Sequence, residues 1–145
     1  MARYTHNSDQ KGRIVIPARL RERMGPTVYV TLSLDEGYLA VYTEERFESV
    51  RRQLDVQSGT NPLVRRLRRA IIGEALPCNL DAQGRIGISD ELWSEIGVQP
   101  GDAVYLTDMG DTILICGRDF FEMRRTVETP ISALDLSELD VSQII

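Results

Sequence analysis

Histidine and cysteine are scarce in this chain of 145 residues, which has one histidine and two cysteines. Cys78 and Cys116 lie far apart, neither belongs to a CxxC pair, and His6 stands alone near the N-terminus. A structural zinc site needs about four ligands at close spacing, so we expect no metal site. Both cysteines are therefore expected to be small core residues, and His6 a surface residue.

Long apolar runs and catalytic motifs are missing as well. No uninterrupted apolar stretch approaches the roughly 20 residues that a membrane-spanning helix needs. The opening residues, MARYTHNSDQKGR, are polar and lack the apolar segment of a secretory signal. The sequence contains no nucleophile elbow, phosphate-binding loop, metal triad or histidine-based acid–base set. We therefore expect a cytoplasmic protein that is not an enzyme, needs no cofactor and does not bind a membrane.

The charge of the chain is unevenly distributed. The net charge is −5, but residues 1–30 carry six basic and two acidic side chains, so the remaining 115 residues sum to −9. A basic end on an acidic body is compatible with DNA binding and equally with ordinary surface patchiness. Apolar residues make up 42% of the chain, which is enough for a packed core.

An internal repeat determines the architecture. Residues 9–16 (DQKGRIVI) recur 72 positions later as residues 81–88 (DAQGRIGI). Further matches follow in the same order along the chain, which chance does not explain. The matched pairs are Leu20 and Leu92, Gly25 and Gly97, Val28 and Val104, Tyr29 and Tyr105, and Phe47 and Phe121.

Each repeat has the pattern of a β-α-β-β unit. Short alternating or β-branched runs predict strands, Pro17 and Ser89 are suited to helix starts, and Gly25 and Gly97 to helix ends. The predicted strands are Arg13–Ile16, Val28–Leu32 and Tyr38–Tyr42, and in the second unit Arg85–Ile88, Ala103–Thr107 and Thr112–Cys116. Because one such unit is too small to bury a core, we expect the two to close on each other as an α+β, pseudo-twofold β-barrel with flanking helices.

Four segments follow from this pattern. Residues 3–54 form the first repeat with a helix, 55–76 a connecting basic helix, 77–125 the second repeat with a short helix, and 126–145 an acidic tail expected to be flexible. The connecting helix is expected to start at Asn61 and to place Leu63, Leu67 and Ile71 on one apolar stripe. Its run Arg65-Arg66-x-Arg68-Arg69 is compatible with nucleic acid, but we favour a solvated face or salt bridges, most naturally at a subunit interface.

The doubled motif resembles the MraZ family. Asp9-x-Lys-Gly-Arg-Ile-x-Ile-Pro-x-x-x-Arg21, with a second Asp81-x-Gln-Gly-Arg-Ile-x-Ile, carries this resemblance over residues 3 to 125. The wider resemblance is to SpoVT/AbrB-type swapped-hairpin, double-psi-like barrels. It implies a nucleoid-associated DNA-binding repressor that forms a ring, an octamer or a dodecamer. It also implies that the target is the promoter of the division and cell-wall gene cluster, bound at G-rich direct repeats of double-stranded DNA.

The two copies differ in ways that select candidate DNA contacts. Lys11, Arg19, Arg21 and Arg23 of the first copy are replaced in the second by Gln83, Glu91, Trp93 and Glu95. Folding does not require these differences, so we expect the first copy to contact DNA. The planar guanidinium of an arginine can donate to O6 and N7 of a guanine together, and a lysine ammonium binds a phosphate as a point charge. The candidate DNA-binding residues are Asp9, Lys11, Gly12, Arg13, Arg19, Arg21, Arg3 and, in the second copy, Arg85.

Purely structural roles are an alternative for several of these residues. Asp9 and Arg13 can pair simply to fix their loop, and Arg3 can pack at a subunit contact instead of reaching a phosphate. A different class of function is an antitoxin-like barrel that binds a protein partner through the acidic tail. Two fused copies in one chain argue against it, because antitoxins usually dimerise a single copy.

Overall fold

The computed structural model describes residues 3–140, which form an α+β fold. The strands are β1 (Arg3–Asn7), β2 (Arg13–Val15), β3 (Thr27–Leu32), β4 (Leu39–Thr43), β5 (Leu76–Asn79), β6 (Arg85–Gly87), β7 (Ala103–Asp108) and β8 (Thr112–Gly117). The helices are α1 (Ala18–Met24), α2 (Glu44–Asp55), α3 (Pro62–Leu67), α4 (Asp90–Glu95) and α5 (Arg118–Val127). A π-helical turn, Arg68–Gly73, continues α3.

Short polar side chains start the helices where the sequence places them. The Asn61 side chain accepts a hydrogen bond from the backbone N–H of Leu63, and the Ser89 side chain accepts one from Leu92. Both satisfy backbone donors that the first helical turn leaves unpaired. Gly25 ends α1 with a φ of +79° and a ψ of 178°, an extended conformation with positive φ that is open essentially to glycine alone.

The two units exchange strands. Six strands form an antiparallel sheet in the order β1-β7-β8-β4-β3-β5, and β2 pairs with β6 in a separate two-stranded ribbon. Only the β3–β4 and β7–β8 pairings join strands of the same unit. The pairings β1–β7, β5–β3, β4–β8 and β2–β6 all join the first unit to the second. This exchange explains why neither unit can bury its apolar strands without the other.

A pseudo-twofold axis relates the units. Ile14 on β2 faces Ile86 on β6, which is its own counterpart 72 residues later. Ala40 on β4 faces Leu114 on β8, the equivalent position in the second unit. The axis therefore passes through both cross-unit pairs. The prediction of two copies closing on each other is confirmed.

One apolar core lies between the ribbon, the large sheet and helices α1 and α4. Ile14 and Ile86 of the ribbon are 1% and 0% exposed, and Leu20 and Leu92 enter the same core from the two helices. Full burial of a side chain of this size contributes about 1.5–3 kcal/mol to folding. The matched positions of the repeat are thus the residues that hold the two units together.

The structure refines three expectations. The α+β class is confirmed, but the six-stranded sheet is open, with β1 and β5 as its edges. Strands β1 and β5 were not predicted, because β1 is short and polar and β5 has only four residues, one of them the proline Pro77. Leu63 is 63% exposed, and Val64 is the buried residue of α3, so the predicted stripe is wrong at that position. Within residues 3–140, no helix has the length and apolarity to cross a membrane.

Candidate nucleic-acid interface

Asp9 organises the loop that leads into β2, here called the first loop (residues 9–13). Its backbone N–H donates to the Arg13 carbonyl at 2.9 Å, and its carbonyl accepts from Gly12 at 3.0 Å. One oxygen of the Asp9 carboxylate accepts the backbone N–H groups of Lys11 and Arg13 at 2.9 and 2.8 Å. The other accepts the Nε of Arg13 at 2.7 Å. A single carboxylate therefore fixes both the backbone and the arginine of the loop.

The second loop (residues 81–85) repeats this arrangement bond for bond. One Asp81 carboxylate oxygen accepts the backbone N–H groups of Gln83 and Arg85, both at 2.9 Å, and the other accepts Nε of Arg85 at 2.8 Å. Since both copies keep the network, the structural interpretation of the aspartate–arginine pair is supported. The pair also orients an arginine at the surface, so it does not exclude a binding role.

The loop hydrogen bonds shift the acidity of both aspartates. The backbone N–H of Arg13, the Arg13 side chain and the backbone N–H of Lys11 hold the pKa of Asp9 below its ordinary value, against a smaller opposing effect of desolvation. Arg85 and Gln83 lower the pKa of Asp81 in the same way. Hydrogen bonds to a carboxylate stabilise its charged form. Both loops are therefore held by ionised aspartates.

The two loop arginines lie on the same face of the ribbon. Ile14 and Ile86 point into the core, so their neighbours on each strand point outward. Arg13 stands opposite Gly87, and Arg85 stands opposite Val15. Such diagonal positions on one face of a strand pair are about 7–8 Å apart.

Both guanidinium groups keep donors for a ligand. The Arg13 and Arg85 side chains are 33% and 27% exposed. Their bonds to Asp9 and Asp81 use the Nε atoms, which leaves the terminal Nη groups for an external acceptor. A fork held at Nε presents paired donors in a defined direction, as recognition of guanine O6 and N7 requires.

Each loop glycine is covered by a side chain from the helix of the other unit. Gly12 has a φ of +75°, and a Cβ there would lie 2.9 Å from the Ile88 carbonyl oxygen. The indole of Trp93 lies against Gly12, and its Nε1 donates to the Gly12 carbonyl at 2.9 Å. Gly84 also has a φ of +75°, and its Cβ position is occupied by the guanidinium of Arg21. The positive φ favours glycine at both positions, and at Gly12 the backbone of Ile88 also leaves no space for a Cβ.

The four basic residues that the second copy lacks differ in their exposure and in their contacts. Lys11 and Arg19 are exposed. Arg21 is half-buried and donates from Nε to the Ile16 carbonyl at 2.7 Å. Arg23 donates to the Asp108 carboxylate at 2.5 Å. Arg21 and Arg23 therefore make tertiary contacts between the units, so their absence from the second copy is not by itself evidence of DNA contact.

Asp108 is a partner that sequence reasoning missed. Its side chain is 7% exposed, and it also accepts the backbone N–H of Gly110 at 2.9 Å. Desolvation raises the pKa of Asp108, but the bonds from Arg23 and Gly110 outweigh it, so the net pKa is lowered. Nothing in the sequence links positions 23 and 108, because the pairing joins the two units.

Arg3 lies away from the ribbon, on edge strand β1. Its guanidinium carbon is 4.7 Å from the ring centre of Tyr105 on β7 and 4.5 Å from that of Phe121 on α5. The contact with Phe121 fastens β1 to α5, and the contact with Tyr105 lies between the paired strands β1 and β7. Arg3 therefore packs within its own chain, and its contact with a phosphate or with a neighbouring subunit stays a prediction.

The arginine run of the connecting segment is engaged locally. Arg68 lies 3.0 Å from Asp55, and Arg65 donates to the backbone carbonyls of Gly59 and Thr60. Arg66 and Arg69 are exposed. The salt-bridge interpretation of this run is thus supported for Arg68.

Neither cysteine belongs to a metal site in the part of the chain that the structure describes. Cys78 and Cys116 are buried and unpaired. Residues 3–140 hold no group of three histidine, cysteine, aspartate or glutamate side chains placed to bind a metal ion. Burial raises the pKa of Cys116 to about 11, so both residues behave as small core side chains.

Comparison with known proteins assigns the chain to a family. Residues 1–70 match a family model described as "MraZ protein, putative antitoxin-like". A transcriptional regulator MraZ from Coxiella burnetii is 34% identical over 121 residues, which cover 81% of this chain and 78% of that protein. One from Lachnoclostridium phytofermentans is 38% identical over 98 residues, 68% of each.

A third relative matches over a shorter region. The transcriptional regulator MraZ of Shewanella frigidimarina is 39% identical over 92 residues, 61% of this chain, and the alignment spans 60% of that protein's length. The duplicated loops, the exchanged strands and these identities agree with one another. The chain belongs to the MraZ family.

Proposed function

We propose that this protein is a transcriptional regulator that binds double-stranded DNA through the exposed face of the β2–β6 ribbon. One observation carries the proposal: Arg13 and Arg85 stand on that face, each fixed at Nε by an aspartate and each with its Nη donors left for a ligand. A two-stranded ribbon is of a size that the major groove of B-DNA admits. The names of the relatives, transcriptional regulators, support the same function.

The candidate residues divide into three roles under this proposal. Arg13 and Arg85 contact base edges, and Lys11 and Arg19, both exposed and basic, contact phosphates. Asp9 and Gly12 shape the first loop and do not themselves touch DNA. Arg21 and Arg3 are assigned packing roles, because the Arg21 guanidinium lies over Gly84 and the Arg3 guanidinium lies against the rings of Tyr105 and Phe121.

The target and the assembly are part of the proposal. We propose that the protein represses the division and cell-wall gene cluster, associates with the nucleoid, and binds G-rich direct repeats as a ring of eight or twelve subunits. One ribbon offers few charge contacts on a chain with a net charge of −5, so several ribbons acting together are needed for tight binding.

A gel shift on DNA from upstream of the protein's own gene tests the function. The expected result is a discrete complex that competing scrambled DNA of the same length and composition does not displace. The Arg13→Ala, Arg85→Ala double variant should lose this complex, and Arg66→Ala, an exposed arginine outside the ribbon, should keep it. A double variant that binds like the unaltered protein would remove the ribbon from the interface.

A second candidate function has two observations in its favour. The family model carries an antitoxin-like description, and the segment after α5 exposes Ile131, Leu134 and Leu139 at 81%, 46% and 57%. An antitoxin-like protein would use such a segment to bind a protein partner. Copurification of one partner in constant stoichiometry, lost on truncation after residue 127, would support this function in place of the first.

A further inference from the structure

We infer that Trp93 is a positioning residue for DNA recognition by the first loop, and that this indole makes the first loop the more rigid of the two. The inference rests on the proposed DNA-binding function. It concerns a residue on α4 of the second unit that acts on a loop of the first. Trp93 is 3% exposed and touches no DNA in this proposal, so its effect passes through Gly12.

The contact of Trp93 is directed at the loop backbone. The Gly12 carbonyl accepts two hydrogen bonds, one from the Ile88 backbone N–H at 3.2 Å and one from Trp93 Nε1 at 2.9 Å. Gly12 immediately precedes Arg13, so a peptide held at Gly12 fixes the start of the arginine's own backbone. An apolar side chain could fill the same space, but it could not supply this second bond.

The equivalent contact in the second loop is of a different kind. The Gly84 carbonyl accepts the Ile16 backbone N–H at 2.8 Å. Arg21 covers Gly84 with its guanidinium, yet its Nε donates to the Ile16 carbonyl and not to the loop. Arg21 is also half-exposed and borders an open surface groove together with Asp81. The Arg21 side chain therefore covers the second loop but makes no hydrogen bond to it.

This difference predicts unequal preorganisation of two loops with the same internal network. A tryptophan has two side-chain torsions and, when buried, a fixed ring, whereas an arginine keeps several rotatable bonds. A loop already held in its binding geometry loses less conformational freedom when DNA binds. The first loop should therefore contribute more to sequence discrimination, for a reason independent of the extra basic residues around it.

The test compares two substitutions at equivalent positions, Trp93→Phe and Arg21→Met. Trp93→Phe keeps an aromatic ring but removes the N–H, and Arg21→Met keeps a flexible cover over Gly84. The probes are the duplex from upstream of the protein's own gene and a scrambled duplex. Trp93→Phe should weaken binding of the upstream duplex about fivefold, as expected for one lost hydrogen bond, and leave the scrambled duplex unaffected. Arg21→Met should lower the ratio of the two affinities by less than Trp93→Phe does, because Arg21 makes no hydrogen bond to the loop itself.

Fluorescence of the unaltered protein provides a readout that does not depend on a variant folding. Trp93 is the only tryptophan in the chain, so its emission reports on the contact with Gly12. Because the Trp93–Gly12 bond is already formed in the free protein, saturation with either duplex should leave the emission maximum unchanged. A shift on saturation with the upstream duplex would show that binding remodels the loop.

The outcomes distinguish the inference from the function on which it rests. If the upstream duplex binds specifically but Trp93→Phe keeps the full affinity ratio, or if the upstream duplex shifts the Trp93 emission, the positioning role is wrong and the proposed function stands. If the unaltered protein does not distinguish the two duplexes, the proposed function fails, and the positioning role fails with it. Equal loss of both duplexes in Trp93→Phe would show a purely structural residue.

Discussion

Ile14 and Ile86 face each other across the ribbon, and each is the other's counterpart in the repeat. This pairing places the pseudo-twofold axis in the middle of the candidate interface. As a consequence, the arginine before Ile14 and the arginine before Ile86 project from one surface in symmetry-related positions. Any DNA that lies on the ribbon meets both copies of the motif together.

The two ribbon arginines should contribute unequally. Arg13→Ala should abolish specific DNA binding, because Lys11 and Arg19 support the first loop and Gln83 and Glu91 replace them in the second. Arg85→Ala should cost less, within the roughly 1–3 kcal/mol of one arginine–guanine contact. Titration of both variants by fluorescence anisotropy checks this prediction. Equal losses would show that the first copy has no special role.

The protein should form a homo-oligomer larger than a dimer. The sides of α2 and α3 border a partly apolar groove lined by Leu34, Val50, Leu54 and Leu67, and Leu34 is 75% exposed. Burial of such surface between subunits stabilises assemblies. Light scattering at micromolar concentration should give a mass several times the 16.4 kDa of one chain. A mass of one chain would contradict the prediction.

DNA binding should depend steeply on the number of repeats and on salt. Once one ribbon of an oligomer is bound, the next binds intramolecularly, so avidity can exceed single-site affinity by about 10²–10⁴. Each neutralised phosphate adds about 0.9 to the slope of log affinity against log salt. Duplexes with one, two and three repeats, titrated at several salt concentrations, test both effects. Equal affinity per repeat on all three duplexes would show that the ribbons act singly.

Gly12→Ala should destabilise the first loop. The φ of +75° is costly for alanine, by about 1–3 kcal/mol, and the new methyl group would lie 2.9 Å from the Ile88 carbonyl oxygen. Gly59→Ala is the matched control, since a Cβ at that position meets no atom within 4 Å. Urea denaturation should show a large loss for the first variant and a change within about 0.5 kcal/mol for the second. Similar stability of the two variants would contradict the loop geometry.

The Arg23–Asp108 pair should make stability depend on pH in the acid range. The folded pKa of Asp108 is lowered, so its contribution is complete above the ordinary value of about 3.9 and is lost as pH falls through the lowered value. Asp108→Asn should reduce stability by about 1 kcal/mol at pH 7, since Arg23 is partly exposed. The urea midpoint of Asp108→Asn should also fall less than that of the unaltered protein between pH 5 and pH 2.5, the range around the ordinary aspartate pKa.

A matched control separates this pair from surface charge in general. Asp111 is 62% exposed and lies 3.7 Å from Arg46, so Asp111→Asn should change stability at pH 7 by less than about 0.5 kcal/mol. An acid decline in Asp108→Asn as steep as that of the unaltered protein would assign the pH dependence to the loop aspartates instead.

The sequence alone determined the repeat, the class of the fold and most of the loop chemistry. The duplicated Asp-x-x-Gly-Arg segments are local patterns, and their networks close within five residues, so neighbouring positions contain the information that builds them. The helix starts at Asn61 and Ser89 follow from the same short-range chemistry. Patterns of this range can be interpreted without knowledge of the fold.

Only the tertiary structure decided how the copies exchange contacts. Trp93 bonds to Gly12, Arg21 covers Gly84, and Arg23 pairs with Asp108, each across the boundary between the units. From the sequence, the loss of Arg21 and Arg23 in the second copy indicated DNA contacts, but these two residues join the units. The physical reason is that exchange of strands brings residues about half the chain apart into contact, and no local pattern encodes such a distance.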